Sequence, residues 1–357
     1  MYKMVNGKKR IFYLDFIRAI AIVFVILAHV TRQFFLNATV SSYKILCAPF
    51  IDFGVLGVPL FLMISGTLLL NRDYELGSFL KKRYIRVLIP FLFWGVVLLF
   101  SKIYFEGNAA TVSRIIQMYL NNYWFVWIIL GVYLFIPVIN SFIKEYGMKG
   151  IEYFLAIWAF TMFLNTIGQY PFHFFELSYF AGYLGYFVLG YYLSNKKFSL
   201  SDSHLLIISL IIFLVFTYIT IDYTLSMAII KSKLIYYKYL TIIVVFQSAG
   251  FYAFIRYFAV IASEKVGSVM NKIYLFFKDS FMFKIIFSIS TFSYGIYLIH
   301  YNPWFFFKWF SQNYIPIFTW NPLIWLPIML IVIIGISWFI LWIFDKVPGL
   351  RMINGAH

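Results

Sequence analysis

Residues 11–34 read IFYLDFIRAIAIVFVILAHVTRQF. This apolar run has about the 20 residues that a helix needs to cross a bilayer, where every backbone N–H and C=O must be bonded within the segment. The basic flank Lys8-Lys9-Arg10 before it resembles the start of a signal peptide. However, Arg18 interrupts the apolar core and no small-residue cleavage site follows. We therefore expect a retained first transmembrane helix.

The rest of the chain has the same character. Of its 357 residues 63% are hydrophobic and 12% are charged, against about 25% charged in an average soluble domain. Further apolar runs predict an all-α, polytopic membrane protein of about ten helices, in a single transmembrane domain over 1–357. The predicted helices cover residues 11–34, 45–70, 84–105, 123–143, 151–168, 178–194, 204–221, 238–262, 282–307 and 322–344.

The 29 Lys and Arg residues give a formal net charge of +16. They lie mainly at the ends of apolar runs, which orients helices during insertion, and they form no basic face suited to nucleic acid. Their distribution predicts a multi-pass protein of the cell membrane with both termini in the cytoplasm. The predicted outer loop around 222–238 fits least well, since it holds three lysines. The single cysteine, Cys47, rules out an internal disulfide and a cysteine-rich metal site.

Two segments carry additional signals. Gly54, Gly57 and Pro59 predict a break in the second helix, either a packing kink or backbone that faces a wet cavity. In 263–281 apolar residues recur at three- and four-residue steps between lysines. This pattern predicts an amphipathic helix that lies on the membrane surface. A less charged segment at 113–120 shows a similar pattern.

Arg18 and His29 lie on one face of the first helix, because eleven residues make close to three turns, and about 16 Å of axis separates them. An arginine within a spanning helix costs roughly 2.5–3.5 kcal/mol on insertion scales. Arg18 can offset this cost by reaching the headgroups or by pairing with Asp15, and His29 can be a helix-packing residue. Together they mark the two ends of something elongated that crosses the membrane.

Four ordered motifs resemble those of the membrane acyltransferase 3 family. The stretch YLDFIRAIAIVFVILAH at 13–29 contains the family's hallmark of Arg, ten residues and His. The other three motifs are GVPLFLMISG at 57–66, KRYIRVLIPF at 82–91 with an Arg-x-x-Arg element, and SYGIYLIH at 293–300. One position departs from the pattern: Asn122 stands where many members have a histidine, two residues before Trp124-Phe125.

The resemblance implies transfer of an acyl group, expected to be acetyl, from cytoplasmic acyl-CoA to a hydroxyl of an extracytoplasmic or lipid-linked glycan. No metal is expected. Arg18, Arg83 and Arg86 suit the donor phosphates, since guanidinium groups bind phosphate with paired donors. Arg83 and Arg86 also fit a simple orientation signal, which is compatible with that role. His29 suits the general base that deprotonates the acceptor hydroxyl.

Four further residues are candidates for substrate binding: Tyr297, His300, Asp52 and Trp124. We expect His300 to lie near the depth of His29, where it or Tyr297 could orient the base, stabilise the oxyanion or bind sugar. Core packing is the alternative for Tyr297, and an ordinary interfacial acid is the alternative for Asp52.

Two other functions remain open from sequence alone. The chain could export or flip a polysaccharide or lipid-linked glycan, or it could be a membrane partner that orders an envelope-biosynthesis complex. The combination of Arg18 and His29 favours acyl transfer, because export needs no base at one end and no phosphate clamp at the other. The small number of intramembrane acids also argues against proton-coupled transport.

Overall fold

The computed structural model describes residues 2–5, 8–38, 41–106, 112–167, 182–231, 236–264, 267–279, 281–314 and 317–356. Two short antiparallel strands, β1 (Tyr2–Val5) and β2 (Lys8–Ile11), precede the helices. The helices are α1 (Phe12–Asn37), α2 (Ser41–Ile45), α3 (Ala48–Val55), α4 (Gly57–Leu69), α5 (Leu76–Glu106), α6 (Val112–Asn122), α7 (Trp124–Thr166), α8 (Leu184–Asn195), α9 (Asp202–Lys231), α10 (Ile242–Glu264), α11 (Val269–Asp279), α12 (Phe281–Ile299), α13 (Tyr301–Asn313) and α14 (Pro322–Lys346).

The described residues contain eight helical segments that are long and apolar enough to cross a membrane. The longest, α7, is interrupted at Gly147, whose φ of 57° lies in the left-handed region that favours glycine. Its two parts coincide with the predicted helices 123–143 and 151–168. The predicted helix 178–194 begins outside the described residues and ends as α8. The structure thus confirms an all-α, multi-pass membrane protein, while the number ten and the sides of the termini stay predictions.

Helix α1 occupies the centre of the bundle. It packs against α3, α4, α10, α12 and α14. Two-thirds of its most apolar stretch is buried within the protein, against 22% for α9. The helix that carries Arg18 and His29 is therefore surrounded by other helices rather than by lipid.

The pair α4 and α8 shows why small residues recur in this sequence. A Cβ added at Gly66 would lie 1.7 Å from the Phe187 carbonyl oxygen, and one added at Gly190 would lie 2.0 Å from the Met63 carbonyl oxygen. The two backbones approach this closely only because both positions lack a side chain. Thr67 Oγ1 adds a polar connection across the pair, to the Gly190 carbonyl at 2.9 Å.

The predicted break in the second helix is present, because Leu56 separates α3 from α4. Both glycines beside it face α1: a Cβ at Gly54 would lie 2.6 Å from the Ala28 side chain, and one at Gly57 equally close to Val25. The break was interpreted either as a packing kink or as backbone that faces a wet cavity. The contacts of both glycines with α1 favour the packing kink.

The prediction of one helix over 282–307 is wrong in detail, because α12 ends at Ile299 and α13 begins at Tyr301. Pro303 cannot donate a backbone hydrogen bond to the Ile299 carbonyl four residues earlier. The Asn302 side chain donates to that oxygen instead, at 3.1 Å. His300 lies at this junction.

Both predicted amphipathic segments are helices, α6 and α11. In α11, Val269, Ile273 and Phe276 are exposed, while the Tyr274 ring packs edge-on against Phe12 with centroids 5.3 Å apart. Exposed apolar side chains on this helix fit contact with the membrane surface. Residues 265, 266 and 280 of the predicted segment 263–281 lie outside the described residues.

Candidate active site

One end of the bundle holds a cavity of about 310 Å³ that five arginines line. It lies between α1, α4, α5, α7 and α12, and none of the described residues that line it has a carboxylate. The arginines are Arg10, Arg18, Arg72, Arg83 and Arg86. Arg18, Arg83 and Arg86 were predicted from the sequence to bind the donor, and all three line this one cavity. We call this the arginine cavity.

Asp15 organises two of these arginines from behind. Its Oδ1 lies 3.1 Å from Arg10 Nη1 and 3.8 Å from Arg18 Nη1, and it accepts a 2.8 Å hydrogen bond from Ser290 Oγ. The carboxylate is buried. The pairing of Arg18 with Asp15, considered from sequence as an alternative to ligand binding, therefore coexists with Arg18 facing the cavity.

Away from the arginines the lining of the cavity is mainly apolar and aromatic. Val25 of α1 and Val58 of α4 are among its lining residues, together with Phe125 and Tyr297. The Phe125 and Tyr297 rings meet edge to face with centroids 6.0 Å apart. The lining of the cavity thus changes from charged to apolar. This change suits a ligand with phosphates at one end and a thin, less polar arm at the other.

His29 and His300 form a direct pair. His29 Nδ1 lies 2.8 Å from His300 Nε2, and the two rings are stacked with an interplanar angle of 13°. His300 is 2% exposed, whereas His29 is partly exposed. The two histidines thus meet at one depth, with His300 behind His29.

The hydrogen bonds around His300 determine which nitrogen of His29 is free. His300 Nδ1 lies 2.6 Å from the Tyr297 carbonyl oxygen, which only accepts, so Nδ1 carries the proton. In neutral His300, Nε2 is then an acceptor and must receive the Nδ1–H of His29. His29 consequently keeps the lone pair on Nε2, which is the atom a general base needs.

Three tyrosines enclose this pair. Tyr301 stacks on His29 with centroids 5.4 Å apart. Tyr123 donates its hydroxyl to the Leu298 carbonyl at 2.7 Å and packs edge-on against Tyr297 and Tyr301. Tyr123 thereby ties the end of α12 to the start of α7, next to the α12–α13 junction.

The arginine cavity stops short of the histidine pair. Val25 lines it, but His29, one turn or about 6 Å further along α1, does not. Tyr297 belongs both to the cavity lining and to the aromatic group around His300, with ring centroids 5.9 Å apart. A continuous passage from Arg18 to His29, which acyl transfer between these two residues would need, is therefore not observed among the described residues.

The remaining two candidates lie elsewhere. Asp52 is buried, its Oδ1 accepts a 2.9 Å hydrogen bond from Thr224 of α9, and its Oδ2 has no hydrogen-bond partner among the described residues. Trp124 is partly exposed and packs against Tyr183 and Tyr239, with centroids 5.6 and 5.3 Å apart. Substrate binding by either residue stays a prediction.

Sequence reasoning missed Arg10 and Arg72 as cavity residues. Arg10 was assigned to the basic flank before α1, and Arg72 belongs to the short connection between α4 and α5. Arg32 was also missed. It follows His29 by three residues, is exposed, and interacts electrostatically with the imidazole and with Tyr301. The only signal for these three was a basic residue close to a helix end.

Fold and site together define a polytopic membrane protein with a cationic cavity at one end and an oriented imidazole beyond it. A family model described as an acyltransferase domain matches residues 11–342. The chain therefore belongs to the acyltransferase 3 family and is a membrane acyltransferase. No curated protein and no solved structure matches it.

Proposed function

We propose that the protein transfers an acyl group, most simply acetyl, from acyl-CoA to a hydroxyl of an envelope glycan or its lipid-linked precursor. The observation that carries the proposal is the chain of contacts from the Tyr297 carbonyl through His300 to His29. It leaves His29 Nε2 unprotonated and its ring fixed, as acyl transfer to a hydroxyl requires. Transport of a glycan would have no use for such an arrangement.

The reaction balances with these groups alone. The acceptor oxygen forms a bond to the thioester carbonyl carbon while its proton moves to His29 Nε2. The carbon–sulfur bond breaks, and the coenzyme A thiolate takes the proton from the imidazolium. During this cycle His300 Nε2 keeps accepting from His29 Nδ1, which stabilises the imidazolium in place.

The arginine cavity supports binding of acyl-CoA. Phosphate groups bind guanidinium side chains through paired, charge-assisted hydrogen bonds, and five arginines offer many such donors. Arg18 is nearest to the apolar part of the cavity along α1, so we assign it to the phosphate next to the arm. Arg83, Arg86, Arg10 and Arg72 would bind the more distal phosphates.

The acyl arm must pass Tyr297 to reach His29. Tyr297 and Phe125 line the cavity, and Tyr297 also contacts His300, so rotation of these side chains is the smallest change that would open a path. We propose that the bound arm displaces these two rings and presents the thioester beside His29. The partly exposed surface with Trp124, Tyr183 and Tyr239 would then stack on the sugar of the acceptor.

A transfer assay tests this function. Membranes that contain the protein are incubated with acetyl-CoA labelled in the acetyl group and with envelope glycan. Label should reach the glycan with the wild type and with His204→Ala, a control histidine exposed at the start of α9. We expect His29→Ala to lose about 10²-fold or more of the rate.

A second experiment, in cells that produce the wild type or His29→Ala, distinguishes acyl transfer from export. If the protein is a transferase, His29→Ala cells accumulate unmodified glycan outside. Glycan trapped inside these cells would instead identify an exporter and would contradict the proposal.

A further inference from the structure

A second cavity, of about 510 Å³, lies between the start of α5 and the C-terminal segment. Four cationic side chains line it, and the described part of its lining contains no carboxylate side chain. They are Lys81, Lys82, Arg86 and Arg351. Arg351 is engaged by Asp345, through the backbone oxygen at 2.8 Å and the carboxylate at 3.9 Å. Lys81 and Lys82 are exposed and have no ion-pair partner among the described residues.

The C-terminal wall of this cavity is held in place by several contacts. Trp94 Nε1 donates to the Ile353 carbonyl at 2.8 Å, and Asn354 Nδ2 donates to Asp345 Oδ1 at 3.1 Å. Gly355 has a φ of 67° and packs directly on Gly295. The cavity is therefore a built feature of the fold rather than a gap beside a loose tail.

The α5 wall changes from charged to apolar along one face. Lys81, Ile85 and Ile89 are four residues apart and all line the cavity, over an axial distance of about 12 Å. The same face continues into Leu92 and Val96, whose side chains are 63% and 53% exposed. A headgroup beside the lysines and an acyl chain along the apolar face would match this order.

We propose that this cavity binds an anionic phospholipid, with its phosphate at Lys81, Lys82 and Arg86 and its acyl chains along α5. Basic pockets at the polar end of a transmembrane bundle suit acidic headgroups. Acyl-CoA shares the phosphate chemistry, but a water-soluble nucleotide gains nothing from the exposed apolar face. Arg86 lines both this cavity and the arginine cavity, so the lipid phosphate would lie next to the donor site.

Native mass spectrometry of the purified full chain tests the proposal, with dioleoylphosphatidylglycerol, dioleoylphosphatidylcholine and coenzyme A as probes. We expect phosphatidylglycerol to bind in preference to phosphatidylcholine. The double variant Lys81→Gln/Lys82→Gln should lower this binding roughly tenfold or more, given two lost headgroup contacts. Lys81→Arg/Lys82→Arg should keep it, because the charge is retained.

The matched control is Lys149→Gln/Lys197→Gln, which removes two exposed lysines away from the cavity and should bind phosphatidylglycerol as the wild type does. Equal loss in this control would mean only nonspecific charge attraction and would overturn the proposal. Unchanged phosphatidylglycerol binding in the Lys81→Gln/Lys82→Gln variant would also overturn it. Displacement of the lipid by coenzyme A, together with loss of coenzyme A binding in the Lys81→Gln/Lys82→Gln variant, would assign the cavity to the donor instead.

Discussion

His29 Nδ1 lies 2.8 Å from His300 Nε2, although 271 positions separate the two residues in the chain. This contact joins the first transmembrane helix to the α12–α13 junction. It orients the proposed base from behind and leaves the opposite nitrogen of His29 available. In the proposed mechanism His300 is a positioning residue, and the Tyr297 carbonyl keeps the proton of its neutral ring on Nδ1.

His300→Ala tests that role. Loss of the acceptor for His29 Nδ1–H should lower kcat by as much as about 10⁴-fold, the loss seen when the residue that orients a catalytic imidazole is changed. KM for acyl-CoA should stay within a few-fold, since His300 is remote from the arginines. His300→Gln, whose side-chain oxygen can accept the same hydrogen bond, should recover part of kcat. An equal loss of kcat in His300→Ala and His300→Gln, or a defect confined to KM, would mean that His300 does not act by orienting His29.

Arg18→Ala and Arg72→Ala test the donor site. Each removes a charged hydrogen-bond donor, typically 1.5–3 kcal/mol, so KM for acyl-CoA should rise roughly 10- to 100-fold. Arg18→Lys should be partly active, because the charge remains while the paired geometry is lost. Lys149→Ala, outside the cavity, is the matched control and should be unchanged. Steady-state kinetics with varied acyl-CoA provides the measurement.

Asp15→Asn tests whether the carboxylate holds Arg10 and Arg18 in the cavity. The substitution keeps shape and a hydrogen bond to Ser290 but removes the charge that attracts both guanidinium groups. We expect weaker acyl-CoA binding with near-normal thermal stability, measured by equilibrium binding and by thermal unfolding. Wild-type affinity in a folded Asp15→Asn protein would show that the arginines need no such support.

Tyr297→Ala tests whether the acyl path runs past the Tyr297 ring, which lines the arginine cavity and contacts His300. Removal of the ring should let bulkier acyl groups pass, so the ratio of butyryl to acetyl transfer should increase. Tyr297→Phe keeps the ring and should keep the wild-type ratio. Both variants retain the backbone carbonyl that bonds to His300, so a change of selectivity is not a loss of base orientation. An unaltered ratio in Tyr297→Ala would place the acyl path elsewhere.

Gly190→Val tests the close approach of α4 and α8. The added side chain would collide with the Met63 backbone, and overpacking of this kind typically costs 1–3 kcal/mol or more. The melting temperature should fall clearly. Gly131→Val is the control, because a Cβ there meets nothing within 4 Å. Similar melting temperatures for the two variants would contradict the packing described for this pair.

Much of the fold could be predicted from local sequence, because spanning helices need long apolar runs. Local sequence was enough to predict the helix that carries Arg18 and His29. It was also enough to predict the break near Gly54 and Gly57. The break at His300 was missed even though Pro303 signals it, because the surrounding residues remain apolar across it.

The site was predictable only in part. Spacing along one helix placed Arg18 and His29 on a common face, and the late-helix motif pointed to His300. The tautomer of His29 depends on a contact between distant segments, which no local pattern encodes. Arg10 and Arg72 reach the cavity because the strand before α1 and the turn after α4 converge, and a single sequence does not reveal that convergence.

Transfer across a sealed bilayer tests the central claim most directly. Proteoliposomes are prepared with glycan acceptor inside, and acetyl-CoA labelled in the acetyl group is added outside. We predict labelled glycan inside vesicles with the wild-type protein, and a rate at least about 10² lower with His29→Ala. Label in the glycan only when donor and acceptor share one compartment, or near-normal transfer by His29→Ala, would contradict the account.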